Sequence, residues 1–199
     1  MNGKTLAAAF TTLVMSVAAP ARAAVKAAME DVSIDSFRAA FNNDQKKVRV
    51  VAILSPTSLS CQHGHRVLHD TFYKLKDNPN LKGTLIWFPQ APTDTKEVAG
   101  VQDSTVEPDN RLSGVWDKDS SFSRLFMKTL KMKLPAWDVY LVYAPGTIWD
   151  KEKPPVPDFW MHQQGISSGA DRYQFLNPKT FQERVGKLVK AADAPATTP

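Results

Sequence analysis

The chain carries one cysteine, Cys61, and four histidines, three of which sit in the stretch that Cys61 opens: Cys61-Gln62-His63-Gly64-His65-Arg66-Val67-Leu68-His69. A thiolate together with neutral imidazoles is a ligand set suited to Zn or Cu. On a helix, Cys61, His65 and His69 are spaced i, i+4 and i+8 and share one face. Cys61 and His65 converge readily, whereas His69 lies two turns from the thiol and reaches the same ion less easily. His63 replaces it if the first turn is irregular at Gly64, and His162, at the end of a later apolar run, is a further candidate. The metal reading therefore takes Cys61 and His65 with one of His63, His69 or His162, arranged as a half-open polar rim. Against it stands a solvated helix face, because Arg66 and Asp70 lie beside these residues. A third reading gives the histidines redox or acid–base assistance to Cys61.

A thiol near a helix N-terminus feels the positive end of the helix dipole, which lowers its pKa and raises its reactivity. The opposite expectation is equally physical: free cysteine is among the most buried residue types and packs as a small apolar group. One cysteine cannot form an internal disulfide. A lone thiol in an oxidising compartment is therefore shielded, metallated or paired with a partner.

The N-terminus specifies that compartment. Lys4 is followed by the apolar run Leu6 to Ala19, then Pro20-Ala21-Arg22-Ala23 and Ala24. A basic start, an apolar core and small residues spaced A-x-A define a secretory signal, with cleavage expected after Ala23. A membrane anchor needs about 20 apolar residues, and this run is shorter and ends in Pro and Arg. Removing 1–23 leaves 176 residues with a net charge of +3, enough for one domain with its own core. That charge is scattered and too small for a nucleic-acid binder. No later stretch approaches a membrane span. The expected organisation is a signal over 1–23, a flexible leader over 24–32, one domain over 33–192 and a disordered Ala/Pro/Thr tail over 193–199.

Within the domain, Ser33-Ile34-Asp35 offers capping chemistry for a short helix bearing Phe37 and Phe41 on one face. Val48 to Leu54 is a β-branched run expected of a strand covered on both sides. A Ser/Thr-rich turn, Ser55 to Ser60, leads into a helix over about 60–76 with Val67, Leu68, Phe72 and Leu75 inward. Further along, 84–88 forms a strand, at most a short helix follows near 94–99, and 112–116 is a short extended piece. Asp119 caps a helix carrying Phe122, Leu125, Phe126 and Leu130. Strands follow over 139–143 and from Phe159 to His162, and Asn177-Pro178 opens a last helix to about Ala191. Right-handed crossovers make the first strands parallel, and a loop alone joins the last two, which are antiparallel.

A strand, a Ser/Thr-rich turn and a helix bearing Cys resemble the site region of thioredoxin-like proteins, where two cysteines are set as C-x-x-C. Ser58-Leu59-Ser60-Cys61 occupies that frame: Cys61 matches the second cysteine, and Ser58 stands in place of the first. Val115-Trp116-Asp117, Pro135-Ala136-Trp137-Asp138-Val139-Tyr140 and Pro157-Asp158-Phe159-Trp160-Met161-His162 resemble segments of an uncharacterised group of bacterial thioredoxin-like proteins. The resemblance implies an α/β three-layer sandwich, a mixed central sheet with helices on both faces, and a monothiol site at Cys61. Without a thiol at Ser58 the dithiol–disulfide cycle cannot run within one chain, so a mixed disulfide with a protein or small thiol replaces it. The resemblance also implies a cis-proline before the third main strand; Pro135 is nearest, about three residues early. The chain shows no Gly-rich phosphate loop and no G-x-S-x-G elbow. Its tryptophans, at strand ends and in loops, leave one more expectation: a partner-binding domain without catalysis.

Overall fold

The computed structural model describes residues 29–76 and 78–194. The signal, the first part of the leader and residues 195–199 lie outside them. The sheet is built from Val48–Leu54 (β2), Leu81–Trp87 (β3), Leu112–Trp116 (β4), Val139–Tyr143 (β5), Phe159–His162 (β6) and a two-residue edge, Glu30–Asp31 (β1). Their spatial order is β1-β4-β3-β2-β5-β6. The first four run parallel, while β5 is antiparallel to both β2 and β6.

Alternation along β2 divides the core. Val50, Ala52 and Leu54 face Leu59–Lys74 (α2), Lys96–Asp103 (α3) and Pro178–Asp193 (α5), which contribute Leu68, Phe72, Ala99 and Phe181. Val51 and Ile53 face Ile34–Asn43 (α1) and Ser121–Thr129 (α4), with Phe37, Phe41, Phe122 and Phe126. All seven residues of β2 are buried, as a central strand covered on both faces requires. The architecture is the expected α/β three-layer sandwich, a mixed central sheet with helices on both faces. Among the described residues no helix is long and apolar enough to cross a membrane.

Capping chemistry places the helices. Ser33 and Ser36 form a reciprocal capping box on α1, and Asn177 with Pro178 opens α5. The strand expected over 84–88 starts earlier, at Leu81, and three helix ends differ from expectation for local reasons. The helix after β3 spans Lys96–Asp103, because Thr95 caps it at Val98 N–H (3.3 Å) while the Asp94 side chain turns elsewhere. The N-cap position of α4 is Ser120, not Asp119, and it makes no side-chain cap bond; Asp117 instead satisfies the first turn, its carboxylate accepting from Ser121 N–H (3.1 Å) and Phe122 N–H (2.8 Å). The final helix reaches Asp193, whose carboxylate accepts from Asn78 and Asn80, 2.7 and 2.8 Å away.

The expected flexible leader is in part a strand. Glu30 and Asp31 pair with Val115 and Trp116, Val32 N–H donates to Trp116 C=O (2.9 Å), and Lys96 binds Asp31 at 2.7 Å. The edge of β4 supplies backbone partners that polar leader residues accept, a long-range pairing no local signal announces.

Candidate functional site

The turn from β2 into α2 lies at the carboxyl ends of the parallel strands, where α/β sheets place their sites. Ser58 is the N-cap of α2, its hydroxyl accepting the Cys61 N–H at 3.4 Å, which sets Cys61 in the first turn. Standing where the resemblance expects a thiol, Ser58 serves as a helix cap, half-buried and bonded to the Ser60 hydroxyl at 3.0 Å.

Cys61 is 0% exposed, and its Sγ accepts the Ser55 N–H at 3.3 Å. Burial pushes the thiol far above its ordinary value of 9.0, and the charge of Asp138 pushes it further; the contacts from Ser55 and Ser58 offset only part of this. Desolvation therefore outweighs the help expected from the helix terminus, and at rest Cys61 is a covered, protonated thiol.

Around it the fold assembles a polar cluster. Tyr140 rises from β5 and its hydroxyl donates to Asp138 Oδ1 at 2.7 Å. Burial, then the charges of Asp138 and Cys61, hold the phenol well above 10.0. Gln163, just past β6, donates from Nε2 to Asp138 Oδ1 (2.9 Å), Tyr140 Oη (3.2 Å) and Ser60 C=O (2.6 Å), tying the end of β6 to the head of α2. Asp138 itself is fully buried, with a left-handed φ of 52°, its N–H bonded to Ile53 C=O (2.7 Å) and its C=O accepting from Gln163 N–H (3.0 Å). Its second oxygen, Oδ2, is buried with no hydrogen-bond partner. The cluster closes over Gly64: a Cβ there would lie 1.6 Å from the Tyr140 hydroxyl, so only glycine admits the ring.

A second carboxylate organises the same turn. Asp94 Oδ2 accepts from Ser55 Oγ (2.8 Å), Gln90 N–H (2.9 Å) and Ala91 N–H (2.9 Å); Oδ1 accepts from Thr57 N–H (3.1 Å) and the Thr57 hydroxyl. Burial raises its pKa, but the hydrogen bonds from Thr57, Ala91 and Ser55 together prevail and hold it below the usual carboxylate range.

The histidines do not gather around Cys61. His63 is exposed and His69 half-buried. His65 is fully buried, edge-on to Trp87 and His69 with ring centroids 5.2 and 4.7 Å away, and its Nε2 lies 3.8 Å from Asp103 Oδ1. His162 is buried with both ring nitrogens engaged. Nδ1 accepts from Gln164 N–H (3.1 Å), which leaves the proton on Nε2 to donate to Asp171 C=O (2.9 Å). A metal would have to break that pair of bonds. The half-open rim is absent, since Cys61, His65 and His162 are all closed from solvent. Among the described residues no group of three or more His, Cys, Asp or Glu is placed to hold a metal ion. The residues present do not fit Zn or Cu.

Every described peptide bond is trans, Pro135 included, and Pro135 serves as a carbonyl acceptor for Gln164 Nε2 at 3.3 Å. Gln163, the residue after the candidate His162, reaches Ser60 at the head of α2. The sequence reading missed Asp138, Tyr140 and Asp94. The available signals were Gly64 inside an otherwise regular helix and an acid standing directly before an apolar strand.

No family model matches the sequence, and no curated protein matches it significantly. Among solved structures, the chain is similar to a secreted disulfide oxidoreductase of Mycobacterium tuberculosis homologous to DsbE of E. coli: 12% identity over 73% of this chain and 85% of that one, TM-score 0.48. It is similar to MTB DsbF at 12% identity over 72% and 81%, TM-score 0.45. It is also similar to a putative thioredoxin from Neisseria meningitidis at 15% identity over 77% and 83%, TM-score 0.41.

Proposed function

We propose that this chain is an exported thioredoxin-fold monothiol protein in which Cys61 is latent, forming a mixed disulfide with a protein or small thiol only when the head of α2 opens. The observation that carries this reading is the buried carboxylate beside the thiol, with Asp138 Oδ2 left without a hydrogen-bond partner and its charge acting on Cys61. In the opened state Asp138 takes the Cys61 proton. The thiolate attacks one sulfur of an incoming disulfide, a Cys61 mixed disulfide forms, and the other sulfur leaves as a thiolate that is then protonated. The disulfide is the oxidant and no further reagent is needed.

Incubation of the native protein with glutathione disulfide, followed by intact mass, tests this. The expected result is a slow single adduct at Cys61, with a rate that stops rising at high glutathione disulfide because opening limits it. Modification no faster than global unfolding, measured in parallel by pulse proteolysis, overturns the reading. Export is part of the proposal: the secreted chain should begin at Ala24, and an intact N-terminus at Met1 counts against it.

A second reading rests on Leu59 and Ile166, 80% and 91% exposed, near the turn and the loop that follow β2 and β6. Isolated apolar side chains of this size suit contact with a partner protein. Partner capture unchanged by Cys61→Ser but lost in Leu59→Asp favours binding without thiol chemistry.

A further inference from the structure

The head of α2 is held from two sides, and the two holds differ. Asp94 grips Ser55 and Thr57, ahead of the helix. Within 55–62 the remaining contacts are local: Cys61 Sγ accepts from Ser55 N–H, Ser58 meets Ser60 and Cys61, and Gln62 Nε2 donates to Pro56 C=O at 3.1 Å. Among the described residues, the hydrogen bond that reaches 58–62 from another part of the fold is Gln163 Nε2 to Ser60 C=O, at 2.6 Å. Side-chain packing adds little to it. Thr57 and Leu59 are exposed and Ser58 and Ser60 half-buried, whereas the adjoining Cys61 is closed from solvent.

Gln163 itself is anchored to the sheet. Its N–H donates to Asp138 C=O (3.0 Å), and the next residue, Gln164, donates from Nε2 to the carbonyls of Pro135 and Trp137. The Gln163 amide is also overcommitted. Nε2 carries two hydrogens, yet three acceptors lie within reach: Ser60 C=O, Asp138 Oδ1 and Tyr140 Oη. Letting go of Ser60 leaves one hydrogen for each of the other two. No buried donor is stranded by that release, and the Ser60 carbonyl then meets water. Gly64 follows a turn later in α2. Glycine is a poor helix former, so opening from Ser58 as far as Gly64 is a local event.

We propose, resting on the latent-thiol reading for the chemical consequence, that Gln163 is the latch of the thiol. Its bond to Ser60 holds the head of α2 shut, and exchanging that bond for undivided ones to Asp138 and Tyr140 is the step that uncovers Cys61. Gln163 is thus a positioning residue, acting on Cys61 through Ser60. The limiting rate of mixed-disulfide formation is the rate at which this latch opens.

Gln163→Met, which keeps the bulk of the side chain and removes its donors, tests the latch with two readouts. The first is amide exchange at Cys61 and Gln62, whose N–H groups bond Ser58 Oγ and Ser58 C=O, with Leu68 in mid-helix as control. Exchange at Cys61 and Gln62 should quicken about fivefold, the worth of one hydrogen bond, and Leu68 should not change. The second is the limiting rate of adduct formation with glutathione disulfide, which should rise by the same factor. Phe126→Leu, a core change on the other face of the sheet, lowers global stability and should move neither the exchange at Cys61 and Gln62 nor the limiting rate. Equal exchange at Cys61 and Gln62 in parent and Gln163→Met overturns the latch, and an adduct that still forms leaves the latent-thiol reading standing. Faster exchange with no adduct in either protein keeps the latch and sinks that reading instead. Acceleration of Leu68 by the same factor also overturns the latch, because the substitution has then loosened the whole helix.

Discussion

Two buried carboxylates flank the β2–α2 turn, and they are used in opposite ways. Asp94 takes five hydrogen bonds, three on one oxygen and two on the other, from four residues in two loops. Asp138 takes two on one oxygen, from Tyr140 and Gln163, and leaves the other bare. Its backbone also sits in the left-handed region, at a cost of about 1 kcal/mol for a residue other than glycine. A saturated carboxylate is a staple: its charge is fully balanced by fixed donors, and removing it strands them. A carboxylate with a spare oxygen, under mild backbone strain and beside the only thiol, holds proton-accepting capacity that folding has not used. The first builds the turn, and the second is the group on which the proposed chemistry of Cys61 depends.

Gly64→Ala should break the comparison most severely, because it removes Tyr140 from the Asp138 side altogether. The added methyl group would occupy the place of the Tyr140 hydroxyl, 1.6 Å away. Alanine gains about 1 kcal/mol over glycine inside a helix, whereas displacing a fully buried aromatic side chain costs about 3–5 kcal/mol. Overpacking prevails. Urea denaturation should show a net loss of about 3 kcal/mol, and an alanine variant as stable as the parent would mean that Tyr140 does not close over the helix.

Next in size is one swap made at both acids. Asp94→Asn puts an amide NH2 against at least two donors whichever way the group turns, since both oxygens accept more than one bond. It should cost about 2–3 kcal/mol. Asp138→Asn keeps its acceptor toward Tyr140 and Gln163, replaces only the unbonded oxygen, and should cost under about 1 kcal/mol. Equal losses would erase the distinction. The pH dependence sharpens it. Because the folded pKa of Asp94 is depressed, its stabilisation is present above the ordinary value of 3.8 and lost as pH falls through the folded value. The acid limb of the stability curve should therefore flatten in Asp94→Asn.

Cys61 gives the opposite sign. Its folded pKa is raised, so the stability it contributes is intact below the ordinary value of 9.0 and is lost as pH rises beyond that. Between about pH 9 and 10 the parent should lose at most ~1.4 kcal/mol per pH unit from this group. Cys61→Ala should show a shallower decline over the same range. Parallel curves would mean that the thiol is not held neutral by the fold.

These sites differ in how far the sequence reveals them. The Ser58–Cys61 turn was legible because a strand, a cap and a helix are local events with local signals. The layered fold was legible too, from apolar periodicity and the order of elements. The polar cluster of Asp138, Tyr140 and Gln163 was not, since these residues are brought to the head of α2 only through strand pairing across β2, β5 and β6. β4 was faint because its Leu-Ser-Gly-Val-Trp run is half-covered and carries the glycine that Asp103 demands. The histidine cluster misled for a related reason. Helical spacing put Cys61, His65 and His69 on one face, but Trp87 and Asp103, from other elements, claimed His65.

The smallest expected effect is also the most discriminating, because Asp138 can act on Cys61 in two opposed ways. As a fixed negative charge it disfavours the thiolate and slows reaction. As a proton acceptor in the opened state it promotes the thiolate and speeds reaction. Asp138→Asn removes both, and pH separates them. If Asp138 takes the proton, the variant should form its glutathione mixed disulfide about tenfold more slowly at neutral pH, the lower range of general-base assistance being larger still. At alkaline pH, where hydroxide removes the proton, only the repulsion is missing, and the variant should react faster than the parent. The two pH–rate profiles should therefore cross. A variant that is faster at every pH shows that Asp138 only repels, and the spare oxygen then plays no part in the chemistry of Cys61.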